Sequence, residues 1–167
     1  RRPVDFQKRQ AMMNRIQGET NREALQQELL ANLTDGGAKM YVILQTLRQR
    51  NSRPLIFERG SYLPLEVLGC RKKHICAFAR KTGEHVIIAV APRLYLTLLR
   101  GKRQIPLKHN IWGDTTIKLP ENWLHIELEN LFCDEPMSKC TLDKDRLVKV
   151  GRLLHSWPVA LLKGTVQ

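Results

Sequence analysis

The chain has 167 residues, of which 43% are hydrophobic and 26% are charged. This is ordinary globular composition, so a buried core can form. No run of the sequence approaches the roughly 18 apolar residues that a membrane span requires, and we expect no membrane partner.

The formal net charge of +12 raises the chance of a nucleic-acid partner. The basic excess is spread along the chain, however, and its densest runs, residues 71–73 and 100–103, are short. Both runs lie where the sequence predicts turns. We therefore interpret them as solvated turns rather than as phosphate-binding patches, and we expect no nucleic-acid partner.

The cysteine pattern argues against a metal site. The four cysteines are Cys70, Cys76, Cys133 and Cys140. Their spacing is wider than that of a zinc knuckle, and the chain lacks the cysteine density of a small secreted scaffold. Cys76 shares a face of an alternating segment with His74 and Phe78, which favours a small hydrophobic residue in a core. We expect reduced thiols, a cytoplasmic protein, no metal and no cofactor.

The first five residues carry charge and a proline and are followed by no apolar segment, so they do not form a secretory signal. Because the chain also lacks an initial Met, we expect it to be a piece of a longer protein.

The first third of the chain predicts three helices, over residues 5–17, 20–33 and 36–50. Thr20 and Glu23 resemble a capping box at the start of the second helix. Thr34 or Asp35 caps the third helix, which ends before Pro54 because a residue preceding proline resists the helical conformation. Apolar residues recur at helical spacing. They are Phe6, Met12, Met13 and Ile16, then Leu25, Leu29 and Leu33, then Met40, Ile43, Leu44 and Leu47.

From residue 55 the apolar period changes to two, which predicts strands. One strand covers residues 62–68, with Pro64 indicating an edge position. Two further strands, residues 74–80 and 85–91, form a hairpin around the Gly-containing turn 81–84. Residues 114–119 and 158–162 predict two more strands. Three segments stay open between strand, helix and mixed structure, namely 94–99, 122–131 and 146–154.

Helices followed by short strands predict an α+β fold with an antiparallel sandwich or barrel. We favour a β-sandwich. The predicted division lies near residues 52–54, with a helical segment over residues 1–52 and an antiparallel β domain over residues 53–167.

No convincing catalytic constellation is visible. The sequence has no Gly-rich phosphate loop, no His-Glu-x-x-His and no Gly-x-Ser-x-Gly. The five histidines are scattered, which indicates half-exposed residues rather than metal ligands. Asp114 is interpreted as a turn-opening residue. The three tryptophans, Trp112, Trp123 and Trp157, are interpreted as core residues in preference to sugar-stacking platforms.

Several motifs follow one another in a recognisable order. They are Arg1-Arg2-Pro3-Val4-Asp5-Phe6, Asp35-Gly36 with Lys39, then Leu55, Phe57, Gly60, Tyr62, Pro64 and Leu65, then His74 with Ala77-Phe78-Ala79-Arg80, Pro92-Arg93, Trp112-Gly113-Asp114-Thr115, Leu119-Pro120 and Pro158-Val159-Ala160-Leu161-Leu162. In this order they resemble the C-terminal part of the maltooligosyltrehalose synthases, isomerases of the α-amylase clan in glycoside hydrolase family 13. The resemblance spans nearly the whole chain.

For a complete enzyme, the resemblance implies a (β/α)8 barrel whose three acidic catalytic residues all precede Arg1. They would convert the reducing-end α-1,4 bond of a maltodextrin into an α,α-1,1 trehalose bond through a covalent glycosyl-enzyme. No cofactor takes part. The piece itself is then expected to be inactive and structural, with no catalytic residue of its own.

The resemblance also implies which parts of the complete enzyme this piece would form. Residues 1–52 would complete the barrel, with residues 36–50 as its last helix, and residues 53–167 would form the C-terminal β domain. Arg1 and Arg2 would lie in the loop after the last barrel strand, where barrel enzymes bind substrate, and are candidate contacts for a maltooligosaccharide. The alternative is a small basic nucleic-acid-binding module with a β core, which steep weakening of binding by salt would reveal.

Overall fold

A computed structural model describes residues 3–102, 104–107, 109–123, 126–133 and 146–166. The chain forms two compact units, Arg1–Asn51 and Ser52–Gln167. The first is helical and the second is built mainly of antiparallel strands, so the fold is α+β. None of the helices in the described ranges combines the length and the apolar character that a bilayer crossing demands.

The helical unit contains α1 (Phe6–Gly18), α2 (Arg22–Ala31), a 3-10 turn (Leu33–Asp35) and α3 (Gly37–Ser52). The predicted capping box at Thr20 is wrong. Asn21 is the N-cap of α2, and its side-chain oxygen accepts from the amide of Ala24 at 3.0 Å. Of the two predicted capping residues, Asp35 accepts from the amide of Gly37, the first residue of α3, at 2.7 Å.

The interior of the helical unit is small. Its buried side chains include Ile16, Leu25, Leu29 and Tyr41, and the Gln26 amide donates to the Tyr41 hydroxyl at 3.2 Å. Other residues of the predicted apolar stripes lie at the surface. These residues are Phe6 (77% exposed), Leu33 (49%), Ile43 (47%) and Leu47 (48%). The helical unit therefore carries more apolar surface than its own packing covers.

The second unit contains short helices and eight strands in its described residues. The strands are β1 (Ser61–Pro64), β2 (Glu66–Leu68), β3 (Ile75–Thr82), β4 (His85–Pro92), β5 (Thr116–Lys118), β6 (Ile126–Asn130), β7 (Leu147–Lys149) and β8 (Ala160–Val166). The helices are α4 (Pro54–Glu58), α5 (Tyr95–Leu98), α6 (His109–Trp112) and α7 (Val150–Leu153). One antiparallel sheet has the order β1-β3-β4-β8-β6, and a second has the order β2-β5-β7.

The single strand predicted over residues 62–68 is instead two strands in different sheets. Leu65 separates them; its amide donates to the carbonyl of Ala77 at 3.0 Å, and its side chain is buried. The edge position expected from Pro64 is confirmed, because β1 is the outermost strand of its sheet. The open segments resolve into α5, into β6, and into β7 followed directly by α7.

The hairpin of β3 and β4 is confirmed, with Thr82 paired to His85 across the turn. Its inward face is the opposite of the one predicted. Ile75, Ala77 and Ala79 are buried, whereas Cys76 is exposed. Both faces of this strand carry small or apolar residues, so alternation alone does not select the buried face.

Both sheets contribute to one buried cluster. Its members include Ala79, Val86, Ile88 and Leu162 from the larger sheet and Ile117 and Val148 from the smaller. The interpretation of the tryptophans as core residues agrees with their burial, since all three are at most 2% exposed. The indole of Trp112 donates to the carbonyl of Pro106 at 3.1 Å, which satisfies its buried N–H.

The close approach of β8 to β6 at Gly164 leads to a testable prediction about stability. It lies on β8 opposite Leu128 of β6 and Val86 of β4, and a side chain there would collide with the backbone oxygen of Glu127. We expect Gly164→Ala to lower the free energy of unfolding by about 3 kcal/mol, since the strands must separate. Thr165→Ala, an exposed change on the same strand, should cost less than about 1 kcal/mol. Urea unfolding of both variants would show equal losses if the close approach were unimportant.

Candidate functional site

The residues predicted to contact substrate, Arg1 and Arg2, lie outside the described residues. The segment that follows them is described. Pro3 and Val4 are exposed, and Asp5 is the N-cap of α1, where its carboxylate accepts from the amide of Lys8 at 2.9 Å. The described segment that follows Arg1 and Arg2 in the sequence therefore leads into a helix whose first turn is fixed by its own cap.

Two arginines attach α1 to the rest of the helical unit. A terminal nitrogen of Arg9 donates to the carbonyl of Asp35 at 3.0 Å, and Arg15 forms an ion pair with Glu28 of α2. Arg9 lies against Gly36, whose φ of +85° favours glycine. The direction of α1 is thus set relative to α2 and α3, while a role for Arg1 and Arg2 in binding sugar stays a prediction.

A polar contact that we call the latch joins residues 69–71 to residues 112–115. The carboxylate of Asp114 accepts from the amide of Cys70 at 2.9 Å, and the hydroxyl of Thr115 accepts from the amide of Arg71 at 3.1 Å. Gly69, at φ +93°, lies so close that a Cβ would stand 2.8 Å from the carbonyl oxygen of Asp114. The latch connects two loops that are distant in sequence.

Hydrogen bonds from Cys70, first its backbone amide and then its side chain, hold the pKa of Asp114 below its ordinary value of 3.8. The interpretation of Asp114 as a local turn-opening residue is incomplete, because its partner lies 44 positions away. The carboxylate is ionised and engaged with an amide, so it has the features of a structural acceptor rather than of a general acid.

A second polar clamp involves Arg80 on β3. Its Nε donates to the carbonyl of Ile56 and a terminal nitrogen donates to the carbonyl of Gly60, both at 2.9 Å. The planar guanidinium thereby satisfies two carbonyls near the end of α4. Residue 60 must be glycine, since a Cβ there would strike the carbonyl of Ile56.

The described residues contain no group of three or more potential ligands that could hold a metal ion. His74 is 2% exposed, so the expectation of a half-exposed residue is wrong for it. Cys70, Cys76 and Cys133 form no disulfide, while Cys140 and His125 lie outside the described residues. The thiol of Cys133 instead lies 2.9 Å from the hydroxyl of Ser156.

A groove of about 260 Å³ lies beside β2 and β5, and its lining is Pro64, Leu65, Glu66, Lys118, Leu119, Pro120 and Glu121. Lys118 lies opposite Glu66 across the strands, and its Nζ is 3.4 Å from the carboxylate of Glu121. Glu121 is largely exposed. An exposed carboxylate beside a lysine forms a solvated ion pair, which is an ordinary surface contact and does not by itself indicate catalysis.

Comparison with protein-family models finds no match, and neither does comparison with curated protein sequences. Among solved structures, the chain is similar to a mutant of maltooligosyltrehalose synthase from Arthrobacter ramosus. The identity is 26% and the TM-score is 0.63, and the likeness covers 98% of this chain. The chain spans only 17% of the length of that protein. The likeness therefore indicates a related domain that corresponds to a small part of a larger enzyme.

The latch gives a prediction about pH. Because Asp114 has a lowered pKa in the folded protein, its ionised form stabilises the fold fully above pH 3.8, and this contribution is lost as the pH falls through the lower folded pKa. Asp114→Asn should therefore be less stable than the wild type well above pH 3.8, and the two should converge as the pH falls through the lowered folded pKa of Asp114. Urea unfolding across this range measures the difference.

The matched control for that experiment is Thr115→Val, which removes the second hydrogen bond of the latch without changing charge. It should lower the free energy of unfolding by about 1 kcal/mol at every pH. If the difference in the free energy of unfolding between the wild type and Asp114→Asn stayed constant with pH, the stabilising role assigned to the ionised carboxylate of Asp114 would be contradicted.

Proposed function

We propose that the chain is the C-terminal part of a maltooligosyltrehalose synthase and that it supports catalysis without performing it. The observation that carries this proposal is the likeness over nearly the whole chain to one solved enzyme of that name. The small share of that enzyme which the chain spans supports the second half of the proposal, because most of the enzyme then lies outside this piece.

The roles of the motif residues support the same conclusion. Arg80 and Gly60 belong to motifs that resemble the family, and they meet in the clamp at the end of α4. Asp114 and Thr115 belong to another such motif, and they form the latch. Each residue is explained by what it holds in place, and none of them needs a catalytic task.

In this proposal, residues 1–52 complete the catalytic barrel, with α3 as its last helix, and residues 53–167 form an antiparallel β-sandwich. Phe6, Ile43 and Leu47 are exposed, and an upstream barrel would cover them. Apolar surface of this kind, on a unit with few buried side chains, is typical of a face that packs against another part of a protein.

The chemistry would belong to carboxylates that precede Arg1. A nucleophile forms a glycosyl-enzyme, the released glucose turns over, and its anomeric hydroxyl closes the α,α-1,1 bond. Water must be excluded throughout, since it would divert the intermediate to hydrolysis. The task of this piece is then to hold the rim of the cleft in one geometry.

Arg1 and Arg2 are the residues we assign to the substrate. Their planar donor groups suit sugar hydroxyls or a neighbouring carboxylate. Pro3 restricts the backbone directly after them, and the capped start of α1 gives the segment a fixed base. Arg2 is nearer to this base in the sequence and is the stronger candidate.

The proposal predicts the behaviour of a chimera. Replacing the matching C-terminal portion of the Arthrobacter ramosus enzyme with this chain should restore non-reducing, trehalose-ended products from maltopentaose, relative to the truncated enzyme. The isolated chain should give none. Turnover by the isolated chain would contradict a supporting role. A folded chimera without product, judged by circular dichroism and gel filtration, would contradict the assignment itself.

A second prediction concerns Arg2 in the complete enzyme. Arg2→Ala should lower turnover roughly tenfold, or raise the share of glucose released by hydrolysis, because one charged hydrogen bond to the sugar is lost. Arg152→Ala removes an exposed arginine of the β unit and should leave both rates unchanged. Wild-type rates in Arg2→Ala with only a lower melting temperature would make Arg2 structural.

A further inference from the structure

Two residues of the motif around Gly60 are explained neither by the Arg80 clamp nor by burial. Gly60 takes part in that clamp, and Leu65 lies in the buried core cluster. Tyr62 and Pro64 are instead exposed on β1, and Tyr62 keeps 59% of its surface in water. A large aromatic side chain in this position adds little to the core and is accessible to a ligand.

The side chains of Tyr62, Pro64 and Phe78 form one apolar strip, which we call the aromatic strip. Tyr62 and Pro64 are two apart on β1, and Pro64 is paired with Phe78 of β3, so all three lie on the same face of the sheet. The rings of Tyr62 and Phe78 are in contact, with centroids 5.1 Å apart and planes tilted by 31°. Ala77 and Ala79, which flank Phe78, are buried on the opposite face. The aromatic strip therefore points away from the core.

The aromatic strip leads into the groove beside β2 and β5. Pro64 belongs to both, because it is the last residue of β1 and part of the lining of the groove. The volume of the groove is about 260 Å³, which is below the roughly 300–1,000 Å³ of pockets that enclose drug-sized ligands. An apolar platform thus continues into a space that suits a small unit of a ligand.

Charged side chains at the groove supply hydrogen-bonding groups of both kinds. Glu66 is paired with Lys118 across β2 and β5, and Nζ of Lys118 lies 3.4 Å from the carboxylate of Glu121. The two carboxylates accept hydrogen bonds, and the ammonium group donates them. Because two carboxylates face one ammonium, the set disfavours an anion. Hydroxyl groups both donate and accept, so a neutral ligand rich in hydroxyls matches the groove best.

We propose that the aromatic strip and the groove form a binding site for a maltooligosaccharide. A sugar ring has an apolar face of C–H groups that stacks on an aromatic ring, and hydroxyls at its rim that reach polar side chains. The tilt between Tyr62 and Phe78 favours a curved α-1,4-linked chain over a flat β-1,4-linked one, which would match coplanar rings. The identity of the sugar rests on the proposed function, whereas the binding itself is a property of this chain.

NMR titration of the isotope-labelled chain with maltopentaose tests the proposal. We expect saturable shifts of the ring signals of Tyr62 and Phe78 and of the amide signal of Glu66, all along one binding curve. Tyr62→Ala should weaken binding about tenfold, because the stacking surface is lost. The matched control is Tyr95→Ala, which removes another exposed tyrosine, on α5, and should leave the affinity within about twofold.

Two conservative variants separate stacking from hydrogen bonding. Tyr62→Phe keeps the ring and should stay within about threefold of the wild type. Glu66→Gln keeps the shape but loses the charged acceptor, and it should weaken binding by about threefold or more. Both positions are exposed, so these variants should fold, and circular dichroism checks that they do.

Three results would overturn the proposal. The first is the absence of saturable shifts at the aromatic strip and the groove at millimolar maltopentaose. The second is equal weakening by Tyr62→Ala and Tyr95→Ala. The third is a shift of the Tyr62 and Phe78 signals with chain concentration in the absence of sugar, since the aromatic strip would then join two copies of the chain.

Cellopentaose supplies the test of linkage. It should bind more weakly than maltopentaose, and equal affinity would overturn the assignment to an α-1,4-linked sugar. Failure of this site is distinguishable from failure of the proposed function. An active chimera together with no binding of maltopentaose by the chain would overturn the site alone, and a folded, inactive chimera together with binding would overturn the proposed function alone.

Discussion

The close approach of β8 to β6 at Gly164 is the constraint on which the larger sheet depends. A side chain at this position would meet the carbonyl of Glu127, so the two strands can pair only because residue 164 has none. β8 also pairs with β4 from His85↔Thr165 to Val90↔Ala160. It therefore lies between the β3–β4 hairpin and β6 in the sheet. Because β8 is the last strand of the chain, the sheet is complete only once this strand has paired with both neighbours.

The Arg80 clamp and the latch fix loops to the strands of the β unit. Arg80 extends from β3, in the same sheet, to the carbonyls of Ile56 and Gly60, and so holds the end of α4. The latch does the same for the loop at Cys70, where Asp114 supplies the acceptor. Charged side chains in such positions satisfy backbone groups that would otherwise lack partners. Motifs rich in Arg, Asp and Gly that resemble those of an enzyme family can thus be structural.

The hairpin of β3 and β4 could be predicted because alternating residues flank a turn with glycine. Which face of the hairpin is buried could not be predicted. Ala77 and Cys76 are both small enough to lie on either face, and only the neighbouring strands decide between the two. The latch could not be predicted from local sequence patterns either, because the partner of Asp114 is 44 residues away. The assignment of Arg1 and Arg2 came from the resemblance and not from any spacing, and it stays a prediction.

The two units differ in how complete their interiors are, and this difference bears on function. In the β unit, side chains of both sheets share one buried cluster, and the loops are held by clamps. In the helical unit, Phe6, Ile43 and Leu47 remain exposed. Leaving apolar surface in water costs free energy in proportion to its area. An autonomous binding module gains nothing from such a face, whereas a segment that completes a larger enzyme needs one to dock. The contrast supports the proposal that this piece docks on another part of a larger enzyme, and it counts against an independent basic module.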